Sequence, residues 1–101
     1  MPPVNIVLVE TIDLYTAIAE MRRITSKDGT FSIVHATYNR DTGQCEGQRF
    51  VCKAHLRPQA KADQVINADY KLFYYDVDEH KPRVCWQMLI MYFNGMKVAL
   101  N

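Results

Sequence analysis

Residues 49–57 read Arg-Phe-Val-Cys-Lys-Ala-His-Leu-Arg, with cations at nearly every other position. Side chains of a strand alternate between its two faces, so Phe50, Cys52, Ala54 and Leu56 are expected on a buried face and Arg49, Lys53, His55 and Arg57 on the other. A row of cations suits an anionic partner, and it equally suits the solvated side of a sheet. Single-stranded nucleic acid is commonly held by a positive groove joined to aromatic rings, each stacked base contributing about 1–3 kcal/mol. Both ingredients are present, since Tyr70, Phe73, Tyr74 and Tyr75 follow on the next expected strand. The expected nucleic-acid-binding residues are Arg49, Lys53, His55, Arg57 and Tyr75. The same aromatics also fit a structural reading, with Tyr70, Leu72 and Tyr74 on one half-buried face and Phe73 and Tyr75 on the other.

Other chemistry is less well provided for. The three cysteines, Cys45, Cys52 and Cys85, and the three histidines invite a test for metal binding. Cys45 and Cys52, like Cys52 and His55, are separated by odd numbers of residues, which places each pair on opposite faces of a regular strand. No metal or other cofactor is expected. No nucleophile motif surrounds Cys52 or Cys85, and an inward strand cysteine is ordinarily inert core. The glycines stand singly, without a phosphate-binding loop. Asp76, Asp78 and Glu79 lie beside Lys81 and Arg83, so a solvated turn is expected there rather than a metal loop. An enzyme is not expected.

These residues belong to a chain of 101 residues, 49% hydrophobic and 23% charged, which is ordinary for a folded domain and argues against disorder. A single domain of 1–101 is expected, large enough to fold without a disulfide or metal. The net charge of +1 gives no overall pull toward nucleic acid or membrane, so any electrostatic recognition must be local. The odd cysteine count and the absence of a signal-like leader point to a reduced, cytoplasmic setting, and no membrane partner is expected.

The elements that position the candidate residues follow from hydrophobic period. Residues 4–9 are short, apolar and β-branched, fitting an opening strand or an extended arm. Leu14, Ala17, Ile18, Met21 and Ile24 recur at spacings of three and four, which predicts an amphipathic helix over about 13–25, capped by Asp13 or Thr11 and ended by Asp28-Gly29. Residues 31–39 and 46–57 read as a hairpin around Asp41-Thr42-Gly43, with Gly47 marking a bulge. A polar connection over 59–68 has room for a short helix at 62–66. A third strand is expected at 70–77, and a polar turn at 78–82 leads into 83–86. The last strands, 89–93 and 96–100, flank Asn94-Gly95, whose residues tolerate the positive φ of a tight turn.

The hairpin over 31–56, the polar connection, Leu72-Phe73-Tyr74-Tyr75-Asp76-Val77-Asp78, Arg83-Val84-Cys85-Trp86 and the last apolar hairpin together resemble small proteins of phages and integrated mobile elements with SH3-like or Sm-like β-barrels. The resemblance spans about 31–98. It implies a non-enzymatic accessory role and transfers no functional residue.

The expected architecture is α+β: an N-terminal amphipathic helix packed on a five-stranded, mainly antiparallel sheet over about 31–100, able to curl into a small barrel. The expected function is an accessory binding module whose basic strand face meets single-stranded nucleic acid. The alternative is a self-associating or protein-interaction subunit. It is motivated by the nearly unbroken apolar run from Trp86 through Met88, Leu89, Ile90, Met91 and Tyr92 to Phe93, which needs cover on both faces and so suggests a homo-oligomer.

Overall fold

The computed structural model describes residues 10–39, 41–58 and 68–100. The expected arm at 4–9 and short helix at 62–66 lie outside them. Strand β1 (Thr11–Asp13) leads directly into helix α1 (Leu14–Ser26). Asp13 is both the last strand residue and the helix N-cap, its Oδ2 accepting from the Thr16 amide at 3.0 Å and the Thr16 hydroxyl at 3.1 Å. This satisfies one of the unpaired amides of the first turn. At the other end Asp28, with φ 59°, sends its amide to Thr25 and Gly29 sends its own to Ile24, closing the helix in a Schellman arrangement. A Cβ at Gly29 would stand 2.9 Å from the Ile24 side chain, so glycine is the residue that fits there.

Strands β2 (Phe31–Asn39), β3 (Gln44–Leu56), β4 (Lys71–Asp76), β5 (Lys81–Trp86), β6 (Ile90–Phe93) and β7 (Met96–Ala99) complete the fold. With β1 they form one seven-stranded sheet in the order β1-β7-β6-β2-β3-β4-β5. All pairings are antiparallel except β1 with β7. Three expectations are thereby corrected. The helix is not the first element, because Thr11–Asp13 adds a strand ahead of it. Among the described residues there are seven strands rather than five, because residues 81–86 also form a full strand that pairs with β4. The sheet stays open instead of closing into a barrel, with β1 and β5 at its edges.

Two sequence signals are realised as expected. Asn94 and Gly95, at φ 47° and 81°, form the two-residue loop between β6 and β7. Asn94 also locks that turn to β2, its Oδ1 accepting from the Ser32 amide at 2.8 Å and its amide donating to the Ser32 carbonyl at 2.9 Å. The β2–β3 register shifts where Thr37 faces Gly47 and Tyr38 faces Cys45, the bulge expected at Gly47.

The helix lays Leu14, Ala17, Ile18 and Met21 onto one face of the sheet, hereafter the inner face. There they meet Phe31 and Ile33 of β2, Val51 and Ala54 of β3, Leu72 and Tyr74 of β4, Cys85 of β5, and Ile90, Phe93 and Val98 of the last hairpin. Tyr74, Phe31, Phe93, Met21 and Ile33 are fully buried. Phe31 and Phe93 meet as tilted rings 5.8 Å apart, in the range that favours aromatic pairs. Thr25 ties the helix end to the sheet by accepting from the Leu56 amide at 3.0 Å.

Candidate binding surface and cleft

What decides the site is one extra residue in β3. Phe31 pairs with Ala54 and Ile33 with Val51, so the single residue Ser32 of β2 stands opposite two of β3 and the strand bulges at Cys52 and Lys53. Val51 and Ala54 are both buried while Cys52 and Lys53 between them are both exposed. The side-chain phase therefore reverses at the bulge. Arg49 and Val51 point to the inner face before it, and Ala54 and Leu56 after it. Phe50, Cys52, Lys53, His55 and Arg57 share the outer face, opposite the helix.

The expected cation row is corrected accordingly. Arg49 lies on the other side of the sheet from Lys53, His55 and Arg57. Phe50 and Cys52, expected in the core, are exposed, Phe50 at 71%, and Val51 takes the core place. Arg57 is committed to the fold. Its Nε donates to the Tyr74 carbonyl at 2.9 Å and its Nη2 to the Arg83 carbonyl at 2.8 Å, while its guanidinium lies 5.7 Å from the centre of the Phe73 ring. It pins the end of β3 to β4 and β5. Of the remaining expected residues, Lys53 is exposed, and His55 stacks on Tyr75 directly across the strand pair with ring centres 5.3 Å apart.

The strand register also assembles a cross-strand row on the outer face. Phe50 faces Val34, Val34 faces Tyr92, and Tyr92 faces Lys97. Residues so paired lie on one face within side-chain reach. Phe50 and Tyr92 leave much of their rings in solvent, and Lys97 is exposed at the end of the row. Sequence reasoning placed Phe50 inside and counted Tyr92 only as part of an apolar run. The inward pair Val51 and Ala54, three apart, was the available sign of a bulge.

On the inner face, the β4–β5 hairpin curls toward β2 and leaves a cleft of about 450 Å³ between them. His35 and Tyr74 form its floor, both buried, with His35 Nε2 and Tyr74 Oη 2.7 Å apart. His35 Nδ1 is 3.1 Å from the Ala36 carbonyl, which can only accept, so Nδ1 carries the proton and Nε2 accepts from the phenol. Burial lowers the His35 pKa, and the nearby Arg49 and Arg83 guanidinium groups lower it further, so the ring is held neutral. Burial also pushes the Tyr74 phenol well above its ordinary range, keeping its proton in place for this bond. Asp76, buried beside Ala54, pairs with Arg83 Nε at 3.0 Å and caps the following turn by accepting from the Glu79 amide. The solvated turn expected at Asp76, Asp78 and Glu79 is corrected in part: Asp78 and Glu79 are exposed, but Asp76 is buried in its ion pair with Arg83.

His35 and Tyr74 were not singled out as a pair by the sequence. The period-two series Phe31, Ile33, His35 places the imidazole inward, but nothing local names a partner 39 residues away. Among the described residues no group of three side chains suited to a metal ion occurs, and no helix is long and apolar enough to cross a membrane. No protein-family model, curated protein or solved structure matches the chain.

Proposed function

We propose that this protein is a non-enzymatic accessory binding module that holds single-stranded nucleic acid on the outer face of its sheet. The observation that carries the reading is that exposed aromatic and basic side chains share that face, opposite the one described helix. Phe50 and Tyr92 offer ring surface in one cross-strand row. Lys97 ends the row, and Lys53 stands on the same face three residues beyond Phe50. His55 and Tyr75 add a second stacked pair nearby. Bases of any sequence can stack on such rings while lysines meet the phosphates, so binding with little sequence preference is expected. The phage or mobile-element setting is proposed on the resemblance of residues 31–98.

Fluorescence anisotropy of labelled single-stranded DNA and RNA, titrated at low and physiological salt, tests this. Binding should weaken steeply with salt. Replacing Phe50 and Tyr92 together with Ser should weaken it by about tenfold or more, the loss expected from one or two stacked bases. Unaltered affinity in that variant, or no binding at low salt, would sink the proposal.

A second reading takes the same row as a self-association surface. It is favoured by Phe50 and Tyr92, large side chains of that row left exposed among the described residues. Light scattering separates the two. A dimer that dissociates in the Phe50→Ser, Tyr92→Ser variant supports self-association, and a monomer at high concentration supports the nucleic-acid reading.

A further inference from the structure

We infer that the cleft between β2 and the β4–β5 hairpin is a second site, separate from the row of Phe50 and Tyr92, which binds one nucleotide unit. Its phosphate would sit between Arg49 and Arg83, and its base against Trp86. Three observations carry this. The volume of about 450 Å³ lies within the range of small-molecule sites, about 300–1,000 Å³. Its described lining holds the cations Arg49, Lys71 and Arg83 and no carboxylate of its own. Arg49 has no carboxylate partner among the described residues, although it is half-buried, and a cationic cleft with low-dielectric walls concentrates anions. Arg83 is aimed by Asp76.

Arg49 is paired across the strands with His35, and Arg83 with Tyr74, so the two arginines flank one hydrogen-bonded pair of rings. Both lower the proton affinity of His35 and of Tyr74 at the cleft floor. The planar half of the ligand is met at the rim of the cleft by Trp86, which alternates to the other side of β5 from Arg83 and borders the cleft at that edge strand, with the Lys71 ammonium 5.1 Å from its ring centre. A bare phosphate would leave that indole unused, and an uncharged base would leave the arginines unused. A nucleotide unit engages both. It can arrive as a free monophosphate or as the phosphorylated end of a strand.

Trp86 is the one tryptophan of the chain, so its emission reports directly on the cleft. The protein is titrated with adenosine monophosphate, adenosine, inorganic phosphate, and a short single strand with or without a 5′ phosphate. A saturable change of Trp86 emission is expected with adenosine monophosphate or with the 5′-phosphorylated strand. Whichever of the two responds identifies the source. Adenosine, inorganic phosphate and the unphosphorylated strand should each change Trp86 emission only at concentrations at least tenfold higher. Arg49→Glu should weaken the response at least tenfold, and Arg49→Gln, which keeps the side-chain length, should weaken it less. Phe50→Ser should leave the adenosine monophosphate response unchanged, which separates failure of this site from failure of the outer face. No response from either phosphorylated ligand through the millimolar range, or a response indifferent to Arg49→Glu, would overturn the inference.

Discussion

The two faces of the sheet contrast sharply in what their large side chains do. On the inner face, Phe31, Phe93, Met21 and Tyr74 are fully buried under a single helix. On the outer face, Phe50 and Tyr92 stand in register across the same strands and remain in solvent. A 13-residue helix is about 20 Å long, shorter than the roughly 29 Å breadth of seven hydrogen-bonded strands, and it lies on one side only. The outer aromatics are thus not explained by the core. The difference teaches that similar residue types hold the fold together on one face and remain available for contact on the other.

The largest test of this contrast is truncation on each face. Phe31→Ala should cost about 3–5 kcal/mol by leaving a cavity, whereas Phe50→Ala should change stability by no more than about 0.5 kcal/mol. Urea denaturation of both variants measures the difference, and equal losses would show that the outer face is covered after all. Next come the polar pins. Tyr74→Phe removes the proton that His35 Nε2 accepts, and Arg57→Ala removes two bonds to strand carbonyls. Each should cost about 1–3 kcal/mol, read from the same denaturation curves.

The inner face should also confer a pH dependence through His35. His35 has its folded pKa below its ordinary 6.5, so as pH falls through 6.5 the unfolded chain takes up a proton that the folded chain refuses. Stability should fall through this window, levelling off only once the folded imidazole is itself protonated. His35→Gln should flatten the dependence in denaturation midpoints measured between neutral and mildly acidic pH.

The smallest perturbation is chemical labelling. Cys52 is exposed on the outer face, whereas burial pushes the inward Cys85 thiol up to about 12. Peptide mass spectrometry after brief alkylation near pH 8 should find Cys52 modified and Cys85 protected until the protein is unfolded. Equal labelling of the two would contradict the assignment of faces.

Much of the scaffold was legible because it rests on local rules. The helix over 14–26 follows from apolar spacings of three and four and the Asp13 cap, and its end from Asp28-Gly29. The last hairpin follows from Asn94-Gly95. The first strand was missed because three residues carry too little pattern to stand apart from a helix cap, and β5 because its exposed Lys81, Pro82 and Val84 read as turn and lead-in. The candidate site was harder. Strict alternation through residues 49–57 reversed the assignments of Phe50 and Cys52 and gathered Arg49 with cations that point the other way.

Residue order by itself determined the element types, the turns and the general division into an apolar and a basic set, because these depend on neighbours a few positions apart. Only the tertiary structure decided which face each side chain occupies and which distant groups meet. A single inserted residue at Cys52–Lys53 reverses the side-chain phase of a strand, and it is fixed by the pairing of β3 with β2 rather than by β3 alone. The meetings of His35 with Tyr74, and of Arg57 with the carbonyls of Tyr74 and Arg83, likewise depend on how the sheet folds over itself.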